Sequence, residues 1–117
     1  MANTFKVITV AGVTSISTIY TAGSSTTTIV LGLILGNTTT SQVTATVTLS
    51  SNTTGTTDSA NNSGNNADVE LVTNAPIPAG SSLEMLAGNK VVIGATDILK
   101  VTASGATDVA LSIMEIT

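Results

Sequence analysis

Short apolar segments recur along the whole chain, separated by polar clusters. Most are rich in Val, Ile and Thr, whose branched side chains are stiff and pack well on a pleated sheet. Gly, Asn, Ser and Pro are concentrated between them, as is typical of turns. No segment repeats apolar residues at the spacing of a helix. The pattern predicts strands at 5–10, 15–20, 27–35, 42–49, 68–74, 82–86, 90–93, 98–103 and 109–116.

These segments predict an all-β fold, an antiparallel β-sandwich that is jelly-roll-like and has about eight strands. In 42–49 apolar residues alternate with Thr, so one face should lie on the core and the other in solvent. The segment 27–35 is apolar at both parities, which predicts a central strand covered on both sides. Segment 75–80 contains both prolines and is expected to be a connection or a sheet edge, and 87–89 a tight turn.

The length of 117 residues fits one domain, which we expect to span 1–117. Within it, 50–67 (SSNTTGTTDSANNSGNNA) has no large apolar residue and cannot bury enough surface to offset its ordering entropy alone. A loop this long is uncommon in a compact domain and is usually functional or mobile. Two readings stay open: a flexible surface loop, or a loop ordered against a neighbouring subunit.

Composition removes several classes of function. The chain has no Cys, His or Trp, and its aromatic residues are Phe5 and Tyr20. A disulfide framework, thiol chemistry, a zinc finger and an imidazole base are therefore excluded. Three Lys, no Arg and a net charge of −4 argue against a nucleic-acid partner, which needs a basic patch. We expect no enzyme activity, no cofactor and no bound metal.

Candidate chemical groups are scattered rather than grouped. The carboxylates are Asp58, Asp68, Glu70, Glu84, Asp97, Asp108 and Glu115. Acid–base catalysis needs two carboxylates in one concave site, and their spread predicts solvated surface charges instead. The oxygen-rich stretch 58–68 does not have the ligand spacing of an EF-hand. Three Asn-X-Ser/Thr sequons, at Asn37, Asn52 and Asn61, are expected by chance in a chain so rich in Asn and Thr.

The N-terminal segment lacks the features of a secretory signal. Lys6 is the one basic residue there, and Thr9 and Gly12 interrupt the apolar run. The most apolar segment, 29–35, is far shorter than the roughly 20 residues of a membrane helix. We therefore expect synthesis in a cytoplasm without export, and no membrane association.

The segment 74–92 reads NAPIPAGSSLEMLAGNKVV. It resembles a segment of small virion structural proteins of tailed phages, notably cyanophages, in which a strand like 98–103 and a terminal strand like 109–116 follow. The N-terminal half is similar in the order of its strands, its Ser/Thr run and Asn37-Thr38-Thr39-Thr40. The motif Pro-x-Pro-Ala-Gly-Ser-Ser-Leu-Glu is distinctive, whereas the rest is common to many β-proteins. The resemblance implies a virion component and carries no catalytic residue.

From this resemblance we expect a capsid decoration (cement) protein that stabilises the assembled shell, as a trimer. Its partners would be the major capsid protein or other virion proteins, and its place the virion, after synthesis in the host cytoplasm. The alternatives are a neck, tail, baseplate or fibre-attachment component, or a receptor-binding adhesion module. The first strand and the polar loop are expected to reach a neighbour, through Thr4, Phe5, Lys6, Asn52, Asn61, Asn62, Asn65 and Asn66.

Overall fold

The fold is described from a computed structural model for residues 2–51, 67–85 and 90–117. These residues form nine β-strands. The strands are β1 (Asn3–Val13), β2 (Ser17–Thr21), β3 (Thr27–Asn37), β4 (Val43–Ser50), β5 (Val69–Ile77), β6 (Ser82–Met85), β7 (Val91–Ile93), β8 (Ile98–Ala103) and β9 (Thr107–Ile116). In this part of the chain no helix is long and apolar enough to cross a membrane.

The strands form two antiparallel sheets that pack as a sandwich. Sheet A has the order β1-β9-β3-β6, with β7 also paired to β3, and sheet B has the order β2-β8-β4-β5. β6 and β7 pair with different halves of β3, on the side away from β9. Counted as one interrupted strand, they leave four strands in each sheet, with the first and last strands adjacent in sheet A. This is the arrangement of a jelly roll, so the predicted fold class is confirmed.

The core lies between the two inner faces, and its central side chains have no exposed surface. Sheet A contributes Leu33, Leu35, Leu111 and Ile113, and sheet B contributes Val47, Leu99 and Val101. The alternation predicted for 42–49 is confirmed, because Val43, Ala45 and Val47 are buried and the intervening Thr residues are half-exposed. Non-directional burial of these aliphatic side chains is the main force that holds the sheets together.

β3 corrects one prediction. Val30, Leu33 and Leu35 are buried, but Ile34 on the other face is 45% exposed. The register with β9 shifts between Val30 and Gly32, so a bulge at this point returns Leu33 to the core side. The unbroken apolar run of 27–35 therefore reflects this bulge together with an apolar outer face. The prediction that the strand is covered on both sides was wrong for the described part of the chain.

The two prolines lie at the end of β5, an edge strand of sheet B. Pro76 is inside the strand, as an edge position allows, so the alternative of an edge was right for 75–77. Beyond the strand, the N–H of Ser81 donates to the carbonyl oxygen of Pro78 at 3.0 Å, and Gly80 has a φ of 70°. A tight turn with positive φ at its third residue favours Gly, which accounts for the Ala-Gly-Ser sequence here.

Asn37 fastens this turn to the end of β3. Its side chain is 4% exposed, and its amide nitrogen donates to the carbonyl oxygens of Ser41 and Ile77, at 2.8 and 2.9 Å. Its amide oxygen accepts from the N–H and the hydroxyl of Thr39, both at 2.8 Å. All four hydrogen-bonding positions of the amide group are used. In the folded chain the Asn37 side chain is buried and hydrogen-bonded, so it is not accessible for glycosylation.

Candidate interaction surface

The predicted interface residues divide between described and undescribed parts of the chain. Thr4, Phe5 and Lys6 lie near the start of β1, at the edge of sheet A. The other predicted residues lie outside the described residues, and their role stays a prediction: Asn52, Asn61, Asn62, Asn65 and Asn66.

The three described residues do not share one face. Phe5 points away from the core and is 71% exposed. Thr4 and Lys6 lie on the opposite face of the strand, because side chains alternate along it. The Lys6 ammonium contacts the Glu115 carboxylate on β9, with Nζ and Oε1 2.7 Å apart. Lys6 is therefore part of a half-exposed ion pair at the rim of the core, and of these three residues Phe5 alone lies on the outer face of sheet A.

Glu115 is also hydrogen-bonded to a pair of hydroxyl groups closer to the core, those of Tyr20 and Thr28. The Tyr20 hydroxyl donates to Glu115 Oε2 at 2.6 Å, and Tyr20 Oη lies 2.7 Å from Thr28 Oγ1. Tyr20 has a single hydroxyl proton. Because Tyr20 donates that proton in its hydrogen bond to Glu115, the Thr28 hydroxyl must be the donor in the bond to Tyr20. Thr28 is fully buried, and this bond satisfies its hydroxyl.

Hydrogen bonds and burial shift the pKa values of Glu115 and Tyr20. The hydrogen bond from Lys6, with that from Tyr20, holds the pKa of Glu115 below its ordinary value of 4.5. Burial, reinforced by the bond to the Glu115 carboxylate, raises the pKa of Tyr20 above its ordinary value of 10.0. Both groups are therefore fixed in one protonation state at neutral pH. This network of side chains links the two sheets and holds β1 against β9, so its role is structural.

The outer face of sheet A is mainly apolar. The registers place Phe5 opposite Met114, Met114 opposite Ile29, and Ile29 opposite Val92. One row of apolar side chains thus crosses β1, β9, β3 and β7. Val7, 64% exposed, and Ile34, 45% exposed, lie further along the strands, with Ser112 opposite Val7 and Glu84 opposite Ile34. We call this surface, defined by Phe5, Val7, Ile29, Ile34, Val92 and Met114, the apolar face.

A shallow groove of about 320 Å³ runs beside Ile34 on this face. Small residues create it: Ala11 on β1, Ala110 on β9 and Gly36 on β3 line it together with Thr9 and Asp108. Its one carboxylate is already engaged, because Asp108 Oδ1 accepts a hydrogen bond from the N–H of Gly12 at 2.9 Å. The groove can hold an apolar side chain of a neighbouring molecule, but it offers no converging polar groups for catalysis.

The outer face of sheet B has the opposite character. Thr46 lies opposite Thr102, and Thr48 lies opposite Lys100, which in turn lies opposite Thr18. Thr residues alternate here with buried aliphatic ones, so the strand propensity of a β-branched residue is kept while a hydroxyl faces solvent. One outer face of the sandwich is therefore rich in hydroxyl groups, whereas the other carries more exposed apolar side chains.

The free edge of β1 adjoins the apolar face. Ala2 and Thr117 exchange both backbone hydrogen bonds, at 3.0 and 3.1 Å, and the register continues without shift to Val10. Hydrogen-bonded pairs alternate in an antiparallel ladder, so even-numbered residues of β1 bond to β9. The N–H and C=O groups of Asn3, Phe5, Val7 and Thr9 therefore point away from the sheet.

The remaining carboxylates do not form a site among the described residues. No group of three acidic residues there could hold a metal ion. Asp97 is buried and accepts hydrogen bonds from the Ser51 hydroxyl at 3.1 Å and the N–H of Gly94 at 3.0 Å. It stabilises the turn before β8. The oxygen-rich stretch at 58–66 lies outside the described residues.

Comparison with known proteins gives distant likenesses only. No family model and no curated protein matches the chain. A chain from the Bacillus endospore appendages, described as disulfide-linked pili, is similar with a TM-score of 0.48 and 16% identity, over 99% of this chain and 87% of that one. A chain of the T13 IBDV viral particle has a TM-score of 0.46 and 12% identity, over 97% of this chain and 35% of that one.

Proposed function

We propose that this chain is a non-enzymatic structural protein of a phage virion, and specifically a capsid decoration (cement) protein. The single observation that carries the proposal is the contrast between the two outer faces of the sandwich. Sheet B presents Thr with Lys100 and Glu70, whereas sheet A presents the apolar face, with the carboxylates Glu84 and Asp108 at one end. The virion assignment itself rests on the resemblance of 74–92 to small phage structural proteins.

An apolar face of this kind fits a lasting contact with a protein surface. Contiguous exposed apolar patches usually mark interaction sites, because leaving them in water is unfavourable. Val7 and Val92 are each 64% exposed, and Phe5 is more so, which is unusual for large side chains on two different strands of one sheet. The groove beside Ile34 gives the partner a place for a protruding side chain.

The proposed mechanism is stabilisation by binding. A protein that binds the assembled shell but not its free subunits shifts the equilibrium toward the shell by mass action. Contacts repeated over a lattice add up, so each one can be modest. The partner would be the major capsid protein, or another virion protein, and the chain would act as a homo-oligomer. The resemblance implies a trimer, whereas the edge of β1 points to a two-fold contact instead.

The experiment compares one substitution on each outer face. Ile29→Lys places a charge in the middle of the apolar row, between Met114 and Val92, and Thr102→Lys places the same charge on the central strand β8 of sheet B. Each variant is expressed in infected cells that lack the wild-type copy, and its amount in purified particles is measured. Thermal melts of the purified variants control for folding.

The proposal predicts that Ile29→Lys folds but that its amount in the particles falls at least about tenfold, because binding would bury an unpaired charge. Thr102→Lys should be incorporated like the wild type. Equal incorporation of both folded variants would contradict a role for the apolar face. Absence of the wild-type chain from particles would contradict the virion function altogether.

A further inference from the structure

β1 differs from the other edge strands of the sandwich. It has eleven residues, against five in β2, four in β6 and three in β7. β5 is long, but Pro76 and the positive φ of Asn74 interrupt its edge. β1 contains no Pro, and its register with β9 is regular from Asn3 to Val10.

Proteins normally protect a long, regular edge strand, because its free backbone groups pair readily with another strand. The single charge in β1, on half-exposed Lys6, is paired with Glu115 of the same chain, so the protection that it gives the edge is reduced. The outward groups of Asn3, Phe5, Val7 and Thr9 are therefore available along a stretch with apolar side chains. An edge strand with these properties can add another strand to the sheet.

We propose that β1 pairs with β1 of a second copy of this chain, antiparallel and about a two-fold axis at Val7. In this register Val7 faces Val7, and Phe5 of each copy faces Thr9 of the other. The hydrogen-bonding groups match, because the outward-pointing residues of both strands are odd-numbered. The pairing extends from Asn3 to Ala11 and uses the whole regular segment up to the bulge at Gly12.

Charge opposes a second copy least along β1. The chain carries a net charge of −4, so two copies repel each other overall, and the repulsion is weakest where the facing surfaces are neutral. β1 is such a place, since its one lysine is neutralised within its own chain. A two-fold axis at Lys6, one residue earlier, would place the lysines of the two copies opposite each other and would shorten the paired segment. With the axis at Val7, Lys6 faces Ile8.

Pairing at β1 also joins the two apolar faces. The side chains of Phe5 and Val7 from both copies meet on the same side of one continuous sheet. The dimer would then present a single surface of about twice the area, which deepens the proposed role in binding a shell. The pairing itself depends only on the edge of β1, and it can hold or fail independently of the virion function.

The test measures the mass of the purified protein by sedimentation from about 1 µM to about 1 mM, a range that covers weak and moderate affinities. Val7→Pro removes an N–H that points away from β9, so the fold should be kept while the dimer is lost. Val7→Lys tests the same edge without a change of backbone. Val92→Lys is the matched control, because Val92 has the same 64% exposure as Val7 and lies on the same face at the far edge.

We expect a wild-type dimer, a dissociation constant at least about tenfold higher in both Val7 variants, and no change in Val92→Lys. Amide hydrogen exchange at Phe5, Val7 and Thr9 should be slow in the dimer and fast in the Val7→Lys variant. A wild-type monomer over the whole range, or a trimer, would overturn the proposal. So would a dimer that Val92→Lys disrupts, or one in which these three amides exchange rapidly, since both indicate contact between faces.

Discussion

At the rim of the core, one network of polar side chains links half-exposed Lys6 through Glu115 and Tyr20 to buried Thr28. Lys6 and Glu115 lie on neighbouring strands of sheet A, while Tyr20 reaches them from sheet B. The sequence gives no local sign of this group, because Tyr20 and Glu115 are 95 positions apart. Only the pairing of β1 with β9, which joins the two ends of the chain, brings them together.

This chain of groups predicts how stability depends on pH. The folded state holds the pKa of Glu115 below 4.5, so its contribution to the free energy of unfolding is complete above that pH. It is lost as the pH falls through the lower, folded value. The pKa of Tyr20 is raised above 10.0, so its contribution is complete below pH 10.0 and is lost as the pH rises through the folded value.

Urea unfolding of the wild type and of Glu115→Gln from about pH 7 to about pH 2 measures the acid part. The wild type should be more stable at neutral pH, and the difference between the two proteins should shrink with acid. A difference that stays constant over this range would show that the charge of Glu115 does not support the fold.

At the scale of strands, alternation in the sequence identified the inner face of β4 correctly. The same reasoning failed at β3, because the bulge between Val30 and Gly32 changes which parity faces the core. Period-two patterns cannot reveal such a shift when both parities are apolar. They also cannot say whether an apolar outer residue such as Ile34 meets solvent or protein, and this is where the candidate surface lies.

β4 offers a direct test of the two faces. Val47→Asp should lower the free energy of unfolding by about 4 kcal/mol or more, because it buries an unpaired carboxylate. Thr46→Asp should change it by about 1 kcal/mol or less. Thr46 is half-exposed, and an Asp oxygen can replace its hydroxyl as acceptor for the N–H of Asn74, now 3.0 Å away. Denaturant melts of equal midpoint for the two variants would contradict this assignment of faces.

At the scale of the whole molecule, the fold class could be predicted but the strand order could not. Strand positions depend on local residues, and the predicted segment 98–103 coincides with β8. The pairing of the first strand with the last depends on long-range closure that no local pattern encodes. The contrast between the outer faces becomes visible only once this order places Phe5, Met114, Ile29 and Val92 in one row.

The whole molecule therefore combines a sealed core, a hydrophilic face of Thr residues and an apolar face beside an open strand edge. These features are consistent with our proposal that the chain belongs to a repeating shell.

The most direct measurement is the copy number of this chain in purified phage particles, by quantitative mass spectrometry against the major capsid protein. The account predicts hundreds of copies, in a simple ratio to the capsid subunits. A value between a few and a few dozen would place the chain in the neck, tail or fibres and would contradict the decoration function.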